Sequence, residues 1–135
     1  MINVAVGIII KENPTSGARQ VLLCQRKQSA RYPLKWEFPG GKVEPNEHPE
    51  ECLRRELFEE LQIHGTIGTL YHQQHFTYPD SGTFDVFYYL VPHFSGELIN
   101  RVFEAFEWVA IAQLSEYDIL EGNRDVVTKL IDAHG

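Results

Sequence analysis

Apolar residues along the chain fall into two periods. Residues 2–10 (INVAVGIII) form a near-continuous apolar run rich in β-branched residues, the pattern of a buried strand. Asn13, Pro14, Ser16 and Gly17 then supply turn chemistry before an apolar run at 21–24, so 2–24 predicts a hairpin. Residues 25–35 (QRKQSARYPLK) are basic and irregular and predict an exposed loop. Residues 36–38 predict a short strand that breaks at Pro39-Gly40-Gly41. From Pro49, a favoured first helical residue, to about Gln62 the period is helical, with Glu50 and Glu51 at the positive end of the helix dipole and Gly65 as the stop. Residues 67–78 and 83–91, aromatic and β-branched around Pro79-Asp80-Ser81-Gly82, predict a second hairpin, and 106–111 one more strand. A last helix is expected from about Asn123, carrying Val126, Val127, Leu130 and Ile131 at core spacing. Strands interspersed with two helices predict an α/β (α+β) fold, a mixed sheet with helices on its faces.

The length of 135 residues suits a single domain over 1–135, and 43% hydrophobic and 12% aromatic residues are globular values. Repeats, low-complexity tracts and long linkers are absent, as is any run near the roughly 18 apolar residues of a membrane span. The opening strand lacks the basic n-region and cleavage site of an export signal. Cys24 and Cys52 lie inside apolar periodic segments, so a cytoplasmic chain with reduced, buried thiols is expected. The net charge of -7 argues against polymeric nucleic acid as partner, which needs a basic face, but leaves open a metal-chelated small phosphate.

The helix at 49–62 carries the informative chemistry. Glu56, Glu59 and Glu60 are spaced i, i+3, i+4 and share an arc of about 100°, beside a stripe of Leu53, Leu57 and Leu61. Glu50 has Arg54 and Glu51 has Arg55 at helical spacing, and Glu59 has Arg55 in the weaker order. Glu56 and Glu60 have no cation at i±3 or i±4. Clustered like charges repel, and a hard divalent cation with oxygen ligands resolves the repulsion. The alternative is an ordinary solvated acidic face. The preceding Gly40-Gly41 pair lets backbone approach a ligand closely, although a plain turn has the same composition. His72 and His75 sit i, i+3 in a strand pattern, facing opposite sides, which argues against a zinc pair.

Residues 40–63 (GGKVEPNEHPEECLRRELFEELQI) resemble the Nudix box, G-x5-E-x7-R-E-U-x-E-E-x-G-U. Gly41, Glu47, Arg55, Glu56, Leu57, Glu59, Glu60 and Ile63 fill its positions. The one departure is Gln62 in place of glycine, read as a shift of the helix stop toward Gly65. Residues 36–47 (WEFPGGKVEPNE), the strand at 107–109 and the segment 123–130 (NRDVVTKL) are similar to the MutT-type branch.

The resemblance implies an α/β/α sandwich and Mg²⁺-dependent (or Mn²⁺-dependent) hydrolysis of a nucleoside triphosphate to monophosphate and pyrophosphate, often with oxidised guanine as base. It implies Glu56, Glu59 and Glu60 as metal ligands with the Gly40 carbonyl, and Arg55 and Glu47 as orienting partners. Glu56 or Glu59 would take the proton. A further family glutamate falls at Val102 here, leaving Glu104 as the nearest acid for that ligand position. Arg26 aligns with a phosphate-contacting arginine, and Lys42 has the same candidate role; either is equally a solvated charge. Phe38 and Trp36 are candidate walls for a base, one of them facing the core. Asn123 is the candidate base reader, since an amide offers donor and acceptor together, and it is equally a helix N-cap. Alternatives are other Nudix substrates (CTP, 5-methyl-dCTP, nucleotide sugars, ADP-ribose) or a nucleotide-binding module without turnover. The expected assembly is a monomer or homodimer.

Overall fold

The computed structural model describes residues 1–135. β1 (Ile2–Glu12) lies at the centre of a mixed seven-stranded sheet. One edge of β1 runs parallel to β7 (Gly82–Val91), which pairs antiparallel with β6 (Leu70–Tyr78). The other edge is shared: its first half pairs with β4 (Gly40–Lys42) and its far end with β2 (Arg19–Gln25). β2 in turn pairs with β3 (Trp36–Glu37) and β9 (Ala105–Ala110). β5 (His64–Thr66) and β8 (His93–Ser95) make a separate two-stranded ribbon.

Alternation along β1 divides two cores. Val6 and Ile8 join a cluster with Val126, Val127 and Leu130 of α2 (Arg124–His134). Ala5 and Ile9 join a second cluster with Cys52, Leu53, Leu57 and Leu61 of α1 (Pro49–Leu61). Each face of the sheet carries one helix, so the apolar run at 2–10 is continuous because both faces are covered. The sandwich expected from the sequence is the one observed. Both cysteines are buried and unpaired. No helix is long and apolar enough to cross a membrane.

Several local expectations change. Gly40-Gly41 is strand rather than turn, because the backbone there completes the ladder of β1. Gly65 does not stop α1; it lies in β5, and Gln62 itself takes the left-handed conformation (φ 61°, ψ 25°) that closes the helix. Two 3-10 segments, Ile111–Glu116 and Glu121–Asn123, lie between the last strand and α2, largely where the sequence assigned no element. Short 3-10 turns lack a sequence period long enough to read.

Candidate active site

α1 starts at Pro49, and the Glu51 side chain folds back to accept the His48 backbone N–H at 3.1 Å. That return takes Glu51 away from Arg55, so the i, i+4 pairing expected of it is absent, as is the Glu50–Arg54 pair. Arg55 instead grips Glu47 through two bonds, Nε to Oε2 at 2.9 Å and Nη2 to Oε1 at 3.0 Å. Its Nη1 donates to Glu56 at 2.9 Å and to Glu59 at 3.4 Å. Glu56 has no cation at i±3 or i±4, yet it gains one because the long guanidinium arm curls back onto its sequence neighbour. Arg55 holds the Glu47 carboxyl down to about 2 and is itself raised by the carboxylates around it.

Glu60 lies beyond the reach of that guanidinium. Burial first, then the charges of Glu56 and Glu37, push its carboxyl up to about 9, against the Gly40 backbone N–H that favours the anion. Its Oε1 is buried with no hydrogen-bond partner. A buried polar atom left unpaired is costly, and a bound cation is one remedy. Burial also raises Glu56, in spite of Arg55. Gly41 matters by what it lacks: a Cβ there would stand 2.4 Å from the Glu56 carboxyl carbon. Glu56, Glu59 and Glu60 do not yet converge on one point, since Arg55 holds the first two. The donor set nevertheless fits a hard divalent cation: all-oxygen, excess negative charge and one orphaned oxygen.

A cleft of about 680 Å³ runs from this acidic edge across the α2 side of the sheet. Glu60, Glu37, Arg26, Gly40, Gly41 and Lys42 line its polar end. Glu37 escaped the sequence reading, which took it as part of a strand. It is half-buried, and burial raises its pKa even though Arg26 Nη1 lies 3.2 Å from both of its oxygens. Arg26 is therefore a half-buried partner of Glu37 rather than a free charge in an exposed loop. Lys42 borders the cleft with an exposed side chain. Glu104 stands outside: its backbone N–H bonds the Gln25 carbonyl, and its exposed side chain borders no part of the cleft.

The other end is aromatic. Phe76 and Tyr78 of β6 and Phe84 of β7 pack edge to face, with centroids 4.6 and 5.8 Å apart, and form a wall. These residues also escaped the sequence reading, since alternation in a hairpin does not say which face lines a cleft. Phe38, 3% exposed, belongs to the core and borders the cleft, while Trp36 packs against Tyr117.

Asn123 is the one buried polar side chain. Its side chain does not cap α2, which corrects the N-cap alternative. Oδ1 accepts the Phe38 backbone N–H at 3.1 Å and Nδ2 donates to the Tyr88 hydroxyl at 3.2 Å. The backbone N–H can only donate, which fixes the orientation of the amide. One N–H and one lone pair of Asn123 remain unused. His72 bonds Gln74 and His75 leans on Asp85, so the two histidines do not form a pair.

The NUDIX domain profile matches residues 1–130. The 8-oxo-dGTP diphosphatase of Escherichia coli is 32% identical over 129 residues, covering 96% of this chain and 95% of that protein. The CTP pyrophosphohydrolase of the same organism is 33% identical over 119 residues, covering 88% and 83% respectively. Among solved structures, a MutT from a study of the Aliivibrio salmonicida and Vibrio cholerae enzymes superposes with a TM-score of 0.79 at 32% identity, covering 98% of each chain. An acidic helix edge gripped by one arginine, a glycine strand against it and whole-length similarity all agree: the chain belongs to the Nudix family.

Proposed function

We propose that this Nudix protein hydrolyses a nucleoside triphosphate to the monophosphate and pyrophosphate, with an oxidised purine such as 8-oxo-dGTP preferred. The observation that carries the reading is one cleft lined both by Glu60, with its orphaned carboxylate oxygen, and by Asn123, with its half-used amide. Glu56, Glu59 and Glu60, with the Gly40 carbonyl, would hold Mg²⁺ or Mn²⁺. Bound there, a divalent cation neutralises the leaving phosphate and lowers the pKa of the attacking water.

Arg55, anchored by Glu47, sets where Glu56 and Glu59 point. The water oxygen bonds to phosphorus, the anhydride P–O bond breaks and pyrophosphate leaves. The water proton goes to a glutamate, for which Glu56 and Glu59 are the candidates. Lys42 and Arg26 present positive charge to the phosphates at the polar end. The free N–H and lone pair of Asn123 can bond a purine edge twice. The 8-oxo-dGTP diphosphatase and MutT similarity supports this base.

A pyrimidine triphosphate is the second reading, favoured by the equal identity to a CTP pyrophosphohydrolase. In it, Asn123 only ties the Phe38 backbone, just past β3, to the start of α2. The test is pyrophosphate release with Mg²⁺ from 8-oxo-dGTP, dGTP, CTP, 5-methyl-dCTP and ADP-ribose. Preference for 8-oxo-dGTP is expected; preference for CTP establishes the second reading, and no turnover with any compound overturns both.

A further inference from the structure

The peptide that carries Asn123 is held on both sides. The Gly122 N–H donates to the Tyr78 hydroxyl at 2.8 Å. The Gly122 carbonyl accepts from the Tyr88 hydroxyl and from Gln74 Nε2, each at 3.0 Å. Gln74 is itself anchored, its Oε1 lying 2.8 Å from His72 Nε2. The packing leaves no slack, because a Cβ on Gly122 would stand 2.4 Å from the Tyr78 oxygen.

The protons in this cage can be counted. Tyr88 donates its one proton to the Gly122 carbonyl and accepts from Asn123. Tyr78 differs. Its oxygen accepts from Gly122, and its own proton has no acceptor in the protein. Burial holds its pKa above the ordinary tyrosine value, so that proton is present at neutral pH. The cleft therefore offers three adjacent hydrogen-bonding points: a donor and an acceptor from Asn123, and a donor from Tyr78.

We infer that Tyr78 is a specificity-determining residue that reads the oxidised position of a purine base, with Gln74 as a positioning residue that holds the Gly122–Asn123 peptide for it. This rests on the proposed function and deepens it. The imidazole edge of guanine presents two acceptors, O6 and N7, beside a C8–H. Oxidation at C8 changes that edge to acceptor, N7–H donor and O8 acceptor, which complements donor, acceptor, donor. Asn123 alone covers O6 and N7–H; the Tyr78 hydroxyl supplies the partner for O8. A site that bonds a substrate group discriminates against the analogue lacking it, because the buried donor is then left unpaired.

The experiment compares the parent with Tyr78→Phe, which keeps the ring and its packing. It measures kcat and KM for 8-oxo-dGTP and dGTP, and binding of 8-oxo-dGMP and dGMP without metal. We expect the 8-oxo preference to fall about three- to tenfold, the scale of one neutral hydrogen bond, with the loss on KM and in product binding. Gln74→Ala, which removes no group facing the base, should lower the same ratio by less, and it decides the matter should Tyr78→Phe not fold. An unchanged ratio in a folded variant overturns the inference while leaving the proposed function standing. A parent with no preference between the two bases removes both readings, and the panel above identifies that case.

Discussion

The two ends of the cleft are built by opposite means. The acidic end comes mostly from one contiguous stretch, 40–60, joined by the Arg26–Glu37 pair, and leaves a buried oxygen of Glu60 unsatisfied. The base end gathers Phe38, Gln74, Tyr78, Tyr88, Gly122 and Asn123 from distant parts of the chain and satisfies nearly every polar atom. A site that takes up a cation stores repulsion, which the ion relieves. A site that reads a base needs its donors and acceptors fixed beforehand, so that binding does not have to order them. Glu60 and Glu47 show the same division within the acidic end. Burial lifts one carboxyl to about 9, and Arg55 holds the other at about 2.

The largest expected effect comes from breaking the stored repulsion. Glu60→Gln should lower kcat by more than about 100-fold, beyond the 10–100-fold typical of partners that only orient a ligand. Its effect on the metal-free protein is the opposite of damage. Because the folded pKa of Glu60 is raised, its contribution to stability is fully present below the ordinary carboxylate range and is lost as pH rises through about 9. Melting temperatures of the metal-free parent should therefore decline across that window. Glu60→Gln should flatten the decline, and Mg²⁺ should flatten it in the parent. A slope that persists in the variant would assign it to another group.

Arg55→Gln probes the paired half. It frees Glu47, Glu56 and Glu59 together, and activity should fall about 10–100-fold, as for loss of a residue that orients ligands. The pH signature is reversed. Glu47 has a depressed pKa, so its contribution is present above the ordinary carboxylate range and is lost as pH falls toward 2. The variant should lose that acid-side dependence and keep the alkaline decline from Glu60. Acid titrations of melting temperature separate the two, and matching curves for parent and variant would refute the pairing.

This division also explains what could be read in the chain. Helical spacing placed Glu56, Glu59 and Glu60 beside Leu53, Leu57 and Leu61, and the structure keeps them there, because spacing along one helix needs no tertiary information. The box residues Glu47 and Arg55 meet in an ion pair that their spacing alone does not announce. The polarity of Glu37 and the wall of Phe76, Tyr78 and Phe84 were not legible, since strand alternation does not say which face borders a cleft. Of the two readings of Arg26, the solvated charge falls, and nothing local to 25–35 reveals that a carboxylate eleven residues on pairs with it. Asn123 kept two readings until the backbone of Phe38 supplied a partner from the far side of the fold.

The smallest effect expected sits where the chain departs from the family pattern. Gln62 closes α1 at φ 61°, and its N–H still reaches the Phe58 carbonyl at 3.0 Å. A side chain in the left-handed region costs on the order of 1 kcal/mol, a cost glycine avoids at the expense of a freer unfolded chain. Gln62→Gly should therefore raise stability by about 0.5–1 kcal/mol, a rise of a few degrees in Tm. Turnover should stay at the parent value, because Gln62 borders neither end of the cleft. Gly65, already inside β5, cannot take over this closure. A lower Tm in Gln62→Gly would mean that the glutamine side chain contributes packing that outweighs its backbone strain, and that the departure from glycine is held by stability rather than merely tolerated.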